Sequence, residues 1–217
     1  MSVTVERVLD AGADSPIHGY LHRPGEPNGD ALVLAHGAGS NAQSPVLIAV
    51  AEAFADSGYT VLRIDLPFRQ MRPHGPPFPA MGAKDRLGIR GASEFLRRSL
   101  PGRIFLGGHS YGGRQATMLA AEEPQVASGL LLLSYPLHPP KKPEQKRDSH
   151  FSKLQTSSLF VHGSRDPFGS PVEMEEALKL IPVPTKLVIR EGAGHDLKGA
   201  GLGAAALEKF GDFFGGG

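Results

Sequence analysis

Short apolar runs alternate along this chain with alanine-rich stretches whose apolar residues recur at helical spacing. The runs lack polar alternation, as expected of strands covered on both faces of a sheet. This order of elements predicts an α/β fold, a mostly parallel sheet with helices on both faces. The runs lie at residues 31–35, 60–66, 103–106, 129–134, 158–161 and 185–189, and the helical stretches at 45–56, 84–100, 111–123, 171–180 and 204–214.

Two further runs precede the first buried one, and they alternate apolar with polar residues. Residues 4–8 and 17–22 have this pattern, which is typical of an antiparallel hairpin at the edge of a sheet. The total is then about eight strands. A length of 217 residues fits one domain, so we expect a single domain over residues 1–217.

Composition excludes several classes of function. Lys and Arg total 23 against 22 Asp and Glu, so no strong field attracts nucleic acid or an anionic membrane. The chain has no cysteine, which removes disulfides, thiolate metal sites and a cysteine nucleophile. No apolar run approaches the roughly 18 residues that a membrane span needs, and no leader pattern follows Met1. We therefore expect a cytoplasmic protein with neither a nucleic-acid nor a membrane partner.

The strongest local signal is a glycine-flanked serine between a strand and a helix. Gly108-His109-Ser110-Tyr111-Gly112 matches the G-x-S-x-G turn, in which a strained backbone lifts the serine hydroxyl above the sheet. This context makes Ser110 the candidate nucleophile. The alternative is that Ser110 only caps the following helix, the commonest role of serine at a helix start.

A nucleophilic serine needs a base, and the base needs an acid that orients it. In this architecture the acid and the histidine follow the serine on loops after later strands. Asp166 follows the run 158–161, and His195 lies in a glycine-rich loop after the run 185–189. We expect Asp166 to orient His195, with the neighbouring Asp196 as the less favoured acid.

Backbone N–H groups are expected to hold the oxyanion. Ala38, in the loop after the first buried run, and Tyr111, directly after the serine, are the candidates. His36, His109 and His162 are interpreted as structural residues rather than metal ligands, because no two have a ligand spacing on one helix. No metal and no cofactor are expected.

These residues resemble the α/β-hydrolase superfamily over nearly the whole chain. The segments 108–114, 134–144 and 162–169 are similar, more narrowly, to the small dienelactone-hydrolase-related group with the testis-expressed 30 and NSL-complex subunit 3 type domains. The resemblance implies Ser110 as nucleophile, Asp166 as acid and His195 as general base. Dienelactone hydrolases proper use a cysteine nucleophile, which this chain lacks, so their substrate is not carried over.

The expected activity is therefore hydrolysis of an ester or similarly activated acyl bond in a small molecule. A catalytically idle scaffold used for binding is the main alternative, and acyl transfer or lyase chemistry on the same residues stays open. Dehalogenase and epoxide hydrolase chemistry are disfavoured, because those relatives have aspartate in place of Ser110. The oligomeric state is left open.

Two segments contain basic residues that can contact anions. Five prolines stiffen the loop 67–79, in which Phe68 is a candidate for an apolar wall of the site and Arg69 and Arg72 are candidates for binding a substrate anion. The alternative is that both arginines are solvated and only keep this surface loop soluble. The basic run 141–147 is interpreted instead as a solvated loop. Residues 135–157, where related proteins insert lids, are too few for a large cap.

Overall fold

The computed structural model describes residues 2–11 and 15–215. Strands and helices alternate through most of the chain, as the sequence predicts. The strands are β1 (Thr4–Asp10), β2 (Ile17–Arg23), β3 (Ala31–Ala35), β4 (Thr60–Asp65), β5 (Ile104–His109), β6 (Gly129–Leu133), β7 (Ser158–Gly163) and β8 (Thr185–Arg190). The helices are α1 (Pro45–Asp56), α2 (Pro67–Met71), α3 (Gly82–Arg97), α4 (Tyr111–Glu122), α5 (Pro171–Leu178) and α6 (Leu202–Phe214).

All eight of these strands form one sheet, in the order β1-β2-β4-β3-β5-β6-β7-β8. β1 and β2 pair antiparallel at one edge, as expected of the N-terminal hairpin, and β2 is antiparallel to β4. The remaining pairs are parallel. The carboxyl ends of β3 to β8 therefore share one edge of the sheet, where open α/β sheets bind their ligands.

Two apolar cores lie on opposite faces of the sheet, because successive strand residues point to opposite sides. In β3, Val33 belongs to the core that includes α3 and α4, whereas Leu32 and Leu34 belong to the core that includes α1 and α6. β3, β6 and β7 are buried along their whole length. The unalternated apolar runs of the sequence thus become strands covered on both sides.

The start of α5 follows the expected capping chemistry. The Ser170 hydroxyl accepts the N–H of Glu173, and the Glu173 carboxylate accepts the N–H of Ser170. These two bonds satisfy donors that a helix start leaves unpaired. Ser44 precedes α1 without such a side-chain bond. There only the proline in the first turn, Pro45, indicates the start of the helix.

The structure confirms the predicted α/β fold, a mostly parallel sheet of eight strands with helices on both faces and no large cap, and it corrects two local expectations. β8 lies at the sheet edge and is only half-buried, because no strand covers its outer side. The proline-rich loop contains the short helix α2. Between β6 and β7 only a single 3₁₀ turn forms, at Phe151–Lys153. Among the described residues, none of the helices has the length and apolar character that crossing a bilayer requires.

Candidate active site

Ser110 lies in a strained turn between β5 and α4. Its φ of 52° and ψ of −115° are rare for a residue with a side chain. The glycines beside it allow the turn to approach β3: a Cβ on Gly108 would lie 2.2 Å from the carbonyl oxygen of Ala35, and one on Gly112 2.3 Å from the same atom. The Ser110 side chain makes no capping bond to α4, so the interpretation as a helix cap fails.

The hydroxyl of Ser110 faces His195 instead. The Ser110 Oγ and the His195 Nε2 are 2.8 Å apart, and the Nδ1 of His195 lies 2.8 Å from one carboxylate oxygen of Asp166 and 3.0 Å from the other. If Nδ1 carries the proton, it donates to Asp166 and leaves Nε2 to accept from Ser110. The structure thus brings the three residues singled out in the sequence into one hydrogen-bonded chain.

Asp166 is placed for this contact, whereas Asp196 is not. The Asp166 side chain is fully buried, and its Oδ1 also accepts the N–H of Phe168 at 2.9 Å. Asp196 is exposed and pairs with Lys198 at 2.8 Å. That partner and solvent occupy the Asp196 carboxylate, so it does not orient His195.

Two neighbours hold the loop that contains His195. The Nε2 of His109 donates to the backbone carbonyl of His195 at 2.7 Å, and the Phe168 ring packs on the His195 imidazole with centroids 4.1 Å apart. Burial lowers the pKa of His109 below its ordinary value. His109 is therefore a neutral donor that positions the loop rather than a second base.

Ala38 and Tyr111, the expected oxyanion donors, both line the cavity in front of Ser110. The N–H of Tyr111, at the first position of α4, has no acceptor within the helix. The Tyr111 hydroxyl donates to the buried carboxylate of Asp85 at 2.6 Å, and Asp85 also accepts the N–H of Phe68 at 3.0 Å. Asp85, which no sequence pattern singles out, thus holds the side chain of the residue that follows the serine.

His36 holds the start of the loop that contains Ala38. Its Nδ1 donates to the carbonyl of Gly37 at 2.8 Å, and its Nε2 accepts the N–H of Leu66 at 3.1 Å. Burial lowers the pKa of His36 to about 4, which keeps the ring neutral and both bonds intact at pH 7. His162 is also buried, and its Nε2 donates to the carbonyl of Gly169 at 2.7 Å.

The expected substrate contacts of the loop after β4 need correction. Phe68 is buried beneath the site, against the rings of His36 and Tyr111. Arg69 is buried as well, and its guanidinium donates to backbone carbonyls rather than facing a substrate. Arg72 packs over the ring of Phe78. The helical turn α2 directs these side chains away from the cavity, and none of the three lines it.

Other residues form the cavity wall. A cavity of about 550 Å³ opens in front of Ser110 and His195. Its wall includes four residues that were not among the sequence-based candidates for the site: Arg114, Pro136, Arg147 and Phe168. Arg114 could have been found, since a residue four positions after Ser110 in a helix lies one turn above it. Residues 141–146 of the basic run are exposed, as expected of a solvated loop. Arg147, at its end, is half-buried and lines the cavity, which no sequence pattern indicates.

A family model described as "Alpha/beta hydrolase domain" matches residues 28–208 of this chain. The matched region begins before β3 and ends within α6, so it contains Ser110, Asp166, His195 and the whole cavity wall.

Solved structures similar to this chain share the fold along nearly their full length. The dienelactone hydrolase of Anabaena variabilis ATCC 29413 is 22% identical, with a TM-score of 0.77 over 99% of this chain and 98% of that one. Est1E of Butyrivibrio proteoclasticus, with bound ferulic acid, is 18% identical, with a TM-score of 0.76 over 95% and 98%. XC6422 of Xanthomonas campestris, described as an α/β serine hydrolase without lid, is 20% identical, with a TM-score of 0.74 over 97% and 94%.

Proposed function

Because this chain belongs to the α/β-hydrolase domain family, we propose that it is a serine hydrolase that cleaves an ester or a similarly activated acyl bond through Ser110, His195 and Asp166. The single observation that carries this proposal is the continuous hydrogen-bonded chain from the Ser110 hydroxyl through His195 to Asp166. The substrate is a small molecule, in keeping with the size of the cavity.

In the proposed reaction the Ser110 Oγ attacks the acyl carbon while the Nε2 of His195 takes its proton. The N–H groups of Ala38 and Tyr111 stabilise the tetrahedral oxyanion. His195 then protonates the leaving group, and an acyl-enzyme on Ser110 remains. Water, deprotonated by His195, releases the acid in the second half of the cycle, while Asp166 stabilises the imidazolium throughout.

Two features favour an active enzyme over an idle scaffold. Ser110 has a strained backbone, and strain of this kind costs on the order of 1–3 kcal/mol wherever it occurs. In the neutral form of His195, the Nδ1–H donates to Asp166 and the Nε2 accepts from the Ser110 hydroxyl. This is the arrangement that a general base needs. A positive φ alone is not specific, since Ser134 shares it. A scaffold that only binds has no use for a serine hydroxyl paired with a neutral imidazole. Membership of the hydrolase family supports water as the acyl acceptor.

Three more specific statements stay predictions from the sequence. They are the resemblance to the testis-expressed 30 and NSL-complex subunit 3 type, the carboxylesterase-like specificity and the cytoplasmic location. The single domain over residues 1–217 also stays a prediction.

The test is covalent labelling with a fluorophosphonate, which reacts with activated serines. We expect the parent to be labelled on the peptide that contains Ser110, and Ser110→Ala to remain unlabelled. Ser134→Ala is the matched control and should be labelled like the parent. Ser134 is also a buried serine with a positive φ, and it directly follows β6. An unlabelled, folded parent would favour the idle scaffold.

A further inference from the structure

The wall of the cavity carries positive charge without a compensating acid. Arg114 and Arg147 both line it, together with apolar, glycine and hydroxyl residues and two histidines, and none of the lining residues is acidic. Within residues 2–11 and 15–215, no carboxylate forms an ion pair with either arginine. Other arginines of the chain do have such partners, for example Arg86 with Glu122 and Arg103 with Asp30.

Arg114 projects from the first turn of α4, directly after the nucleophile. Its N–H bonds to the carbonyl of Ser110 at 3.0 Å, so its backbone position is fixed relative to the serine. The Nε of its guanidinium is buried, and it has no hydrogen-bond partner among the described residues. A buried donor without an acceptor costs free energy, on the order of 1–3 kcal/mol, until a ligand satisfies it.

Arg147 is fixed from the other side of the cavity. Its N–H donates to the carbonyl of Leu137 at 2.7 Å, and its own carbonyl accepts the Tyr135 hydroxyl at 2.6 Å. Among the residues that the structure describes, the guanidinium itself makes one long hydrogen bond, 3.4 Å from Nη1 to the carbonyl of Pro136. The basic run therefore ends in an anchored residue with free donors rather than in a solvated one.

The two guanidinium groups are close enough to influence each other. Burial and then the positive charge of Arg114 lower the pKa of Arg147. The neighbouring His150 is neutral, because burial and then the charges of Arg114 and Arg86 lower its pKa to about 4. Two like charges in a partly desolvated wall repel, and an anion between them relieves that repulsion.

We propose that Arg114 and Arg147 form an anion-binding subsite of the cavity, and that the substrate is an ester carrying a carboxylate group that these two arginines bind. The inference rests on the proposed hydrolase function and specifies its substrate class. Guanidinium groups suit this task, because their planar donors match the two oxygens of a carboxylate. Arg114 and Arg147 thus take the role that was expected of Arg69 and Arg72, the binding of an anionic group of the substrate.

The kinetic test compares matched charged and neutral esters. Mono(4-nitrophenyl) adipate has its carboxylate on the acyl side, and its methyl ester is the neutral analogue. A second pair, 4-butanoyloxybenzoate and its methyl ester, has the carboxylate on the leaving group. We expect the parent to prefer the charged member of at least one pair by about 10- to 100-fold in kcat/KM, the effect of one charge-assisted hydrogen bond.

The same ratio is then measured in variants. Arg114→Gln and Arg147→Gln should each reduce the preference for the charged ester to near one, and added salt should weaken it in the parent. Arg7→Gln is the control for a general charge effect, since Arg7 is exposed on β1 and should keep the parent's ratio. A parent that hydrolyses the neutral esters at least as well as the charged ones overturns the subsite but leaves the hydrolase intact.

A binding measurement separates the two proposals completely. Calorimetry on Ser110→Ala should detect monomethyl adipate and not dimethyl adipate, and the added Arg114→Gln or Arg147→Gln change should abolish the difference. This result supports the subsite even if the parent is never labelled by a fluorophosphonate. Equal binding of both esters, or none, overturns the subsite whatever the activity.

Discussion

The Nη2 of Arg69 donates to the carbonyl oxygen of Ala38 at 2.9 Å. The same side chain donates from Nε to the carbonyl of Ser40 at 2.7 Å, and to the carbonyls of Arg72 and Gly75 at 3.1 and 3.0 Å. One buried guanidinium thus joins the loop after β3 to the loop after α2. The Ala38 carbonyl belongs to the peptide after the one that contains the Ala38 N–H, so Arg69 restricts the backbone of Ala38 beside the cavity without contacting that N–H.

We therefore predict that Arg69 acts as a positioning residue for the oxyanion donor. Arg69→Gln should lower kcat for an activated ester by about 10-fold or more with a smaller change in KM, because the Ala38 N–H matters most when the oxyanion forms. Arg69→Lys, which retains one donor group, should recover part of kcat. The measurement is steady-state kinetics on a 4-nitrophenyl ester.

The control for Arg69 is Arg72→Gln. The Arg72 side chain packs over Phe78, and only its backbone carbonyl contacts Arg69, so the substitution should leave kcat and KM near the parent's values. A parallel rise of KM in Arg69→Gln without loss of kcat would instead indicate substrate binding.

A second prediction concerns the acid. Asp166→Asn should lower kcat by a factor on the order of 10⁴, since the amide favours the wrong imidazole tautomer. Asp196→Asn is the matched control, with the same change on a neighbouring carboxylate, and it should have little effect because Asp196 pairs with Lys198. A larger loss in Asp196→Asn would contradict this assignment. Circular dichroism checks that both variants fold.

The sequence predicts the elements well where patterning and packing agree. β3 and α1 have the predicted limits, because their apolar residues face cores on known sides and Pro45 marks the helix start. The proximity of Ser110, Asp166 and His195 could also be predicted, since each follows a parallel strand and all such strands end at one edge.

Side chains that depend on folded loops could not be predicted. The direction of Arg69 is set by α2, a turn of five residues whose prolines indicated only stiffness. Arg147 reaches the cavity because the Tyr135 hydroxyl holds its backbone, a contact between residues 12 positions apart in an irregular segment. Such contacts leave no periodic pattern in the sequence. The charges of the basic run predicted exposure to solvent, which holds for residues 141–146 but not for Arg147.

A third prediction links pH to stability through His22. The Nε of Arg63 donates to the Nε2 of His22 at 2.8 Å, and burial, then the Arg63 charge, lowers the pKa of His22 from 6.5 to about 4. Above pH 6.5 the ring is neutral in both the folded and the unfolded chain. As the pH falls from 6.5 towards 4, the unfolded chain takes up the proton first, so the free energy of unfolding decreases.

Urea unfolding at several pH values measures this effect. The parent should lose more unfolding free energy between pH 6.5 and 4 than His22→Gln does, by on the order of 2 kcal/mol. Glutamine can still accept from Arg63 but does not titrate. His36 and His150, whose pKa values are also about 4, should leave a residual slope in the variant. Identical slopes would show that His22 does not contribute.

A fourth prediction concerns acyl chain length. Only a 3₁₀ turn forms between β6 and β7, so no large cap covers the cavity to shelter a long apolar chain. Turnover should be faster for 4-nitrophenyl butyrate than for the palmitate, with no activation at a lipid interface. Initial rates measured below the concentration at which palmitate esters aggregate provide the comparison. Faster hydrolysis of the palmitate would indicate an acyl channel.

The half-buried edge strand β8 has a consequence for how the protein loses function. His195 follows β8, whereas Ser110 follows β5 in the interior of the sheet. Edge strands exchange their amide hydrogens through local opening at a lower free energy than central strands do. Mild denaturant should therefore detach the general base while the nucleophile and most of the sheet stay in place. Enzyme activity would then disappear at lower urea concentration than the far-ultraviolet circular dichroism signal, with the β8 amides exchanging before those of β5.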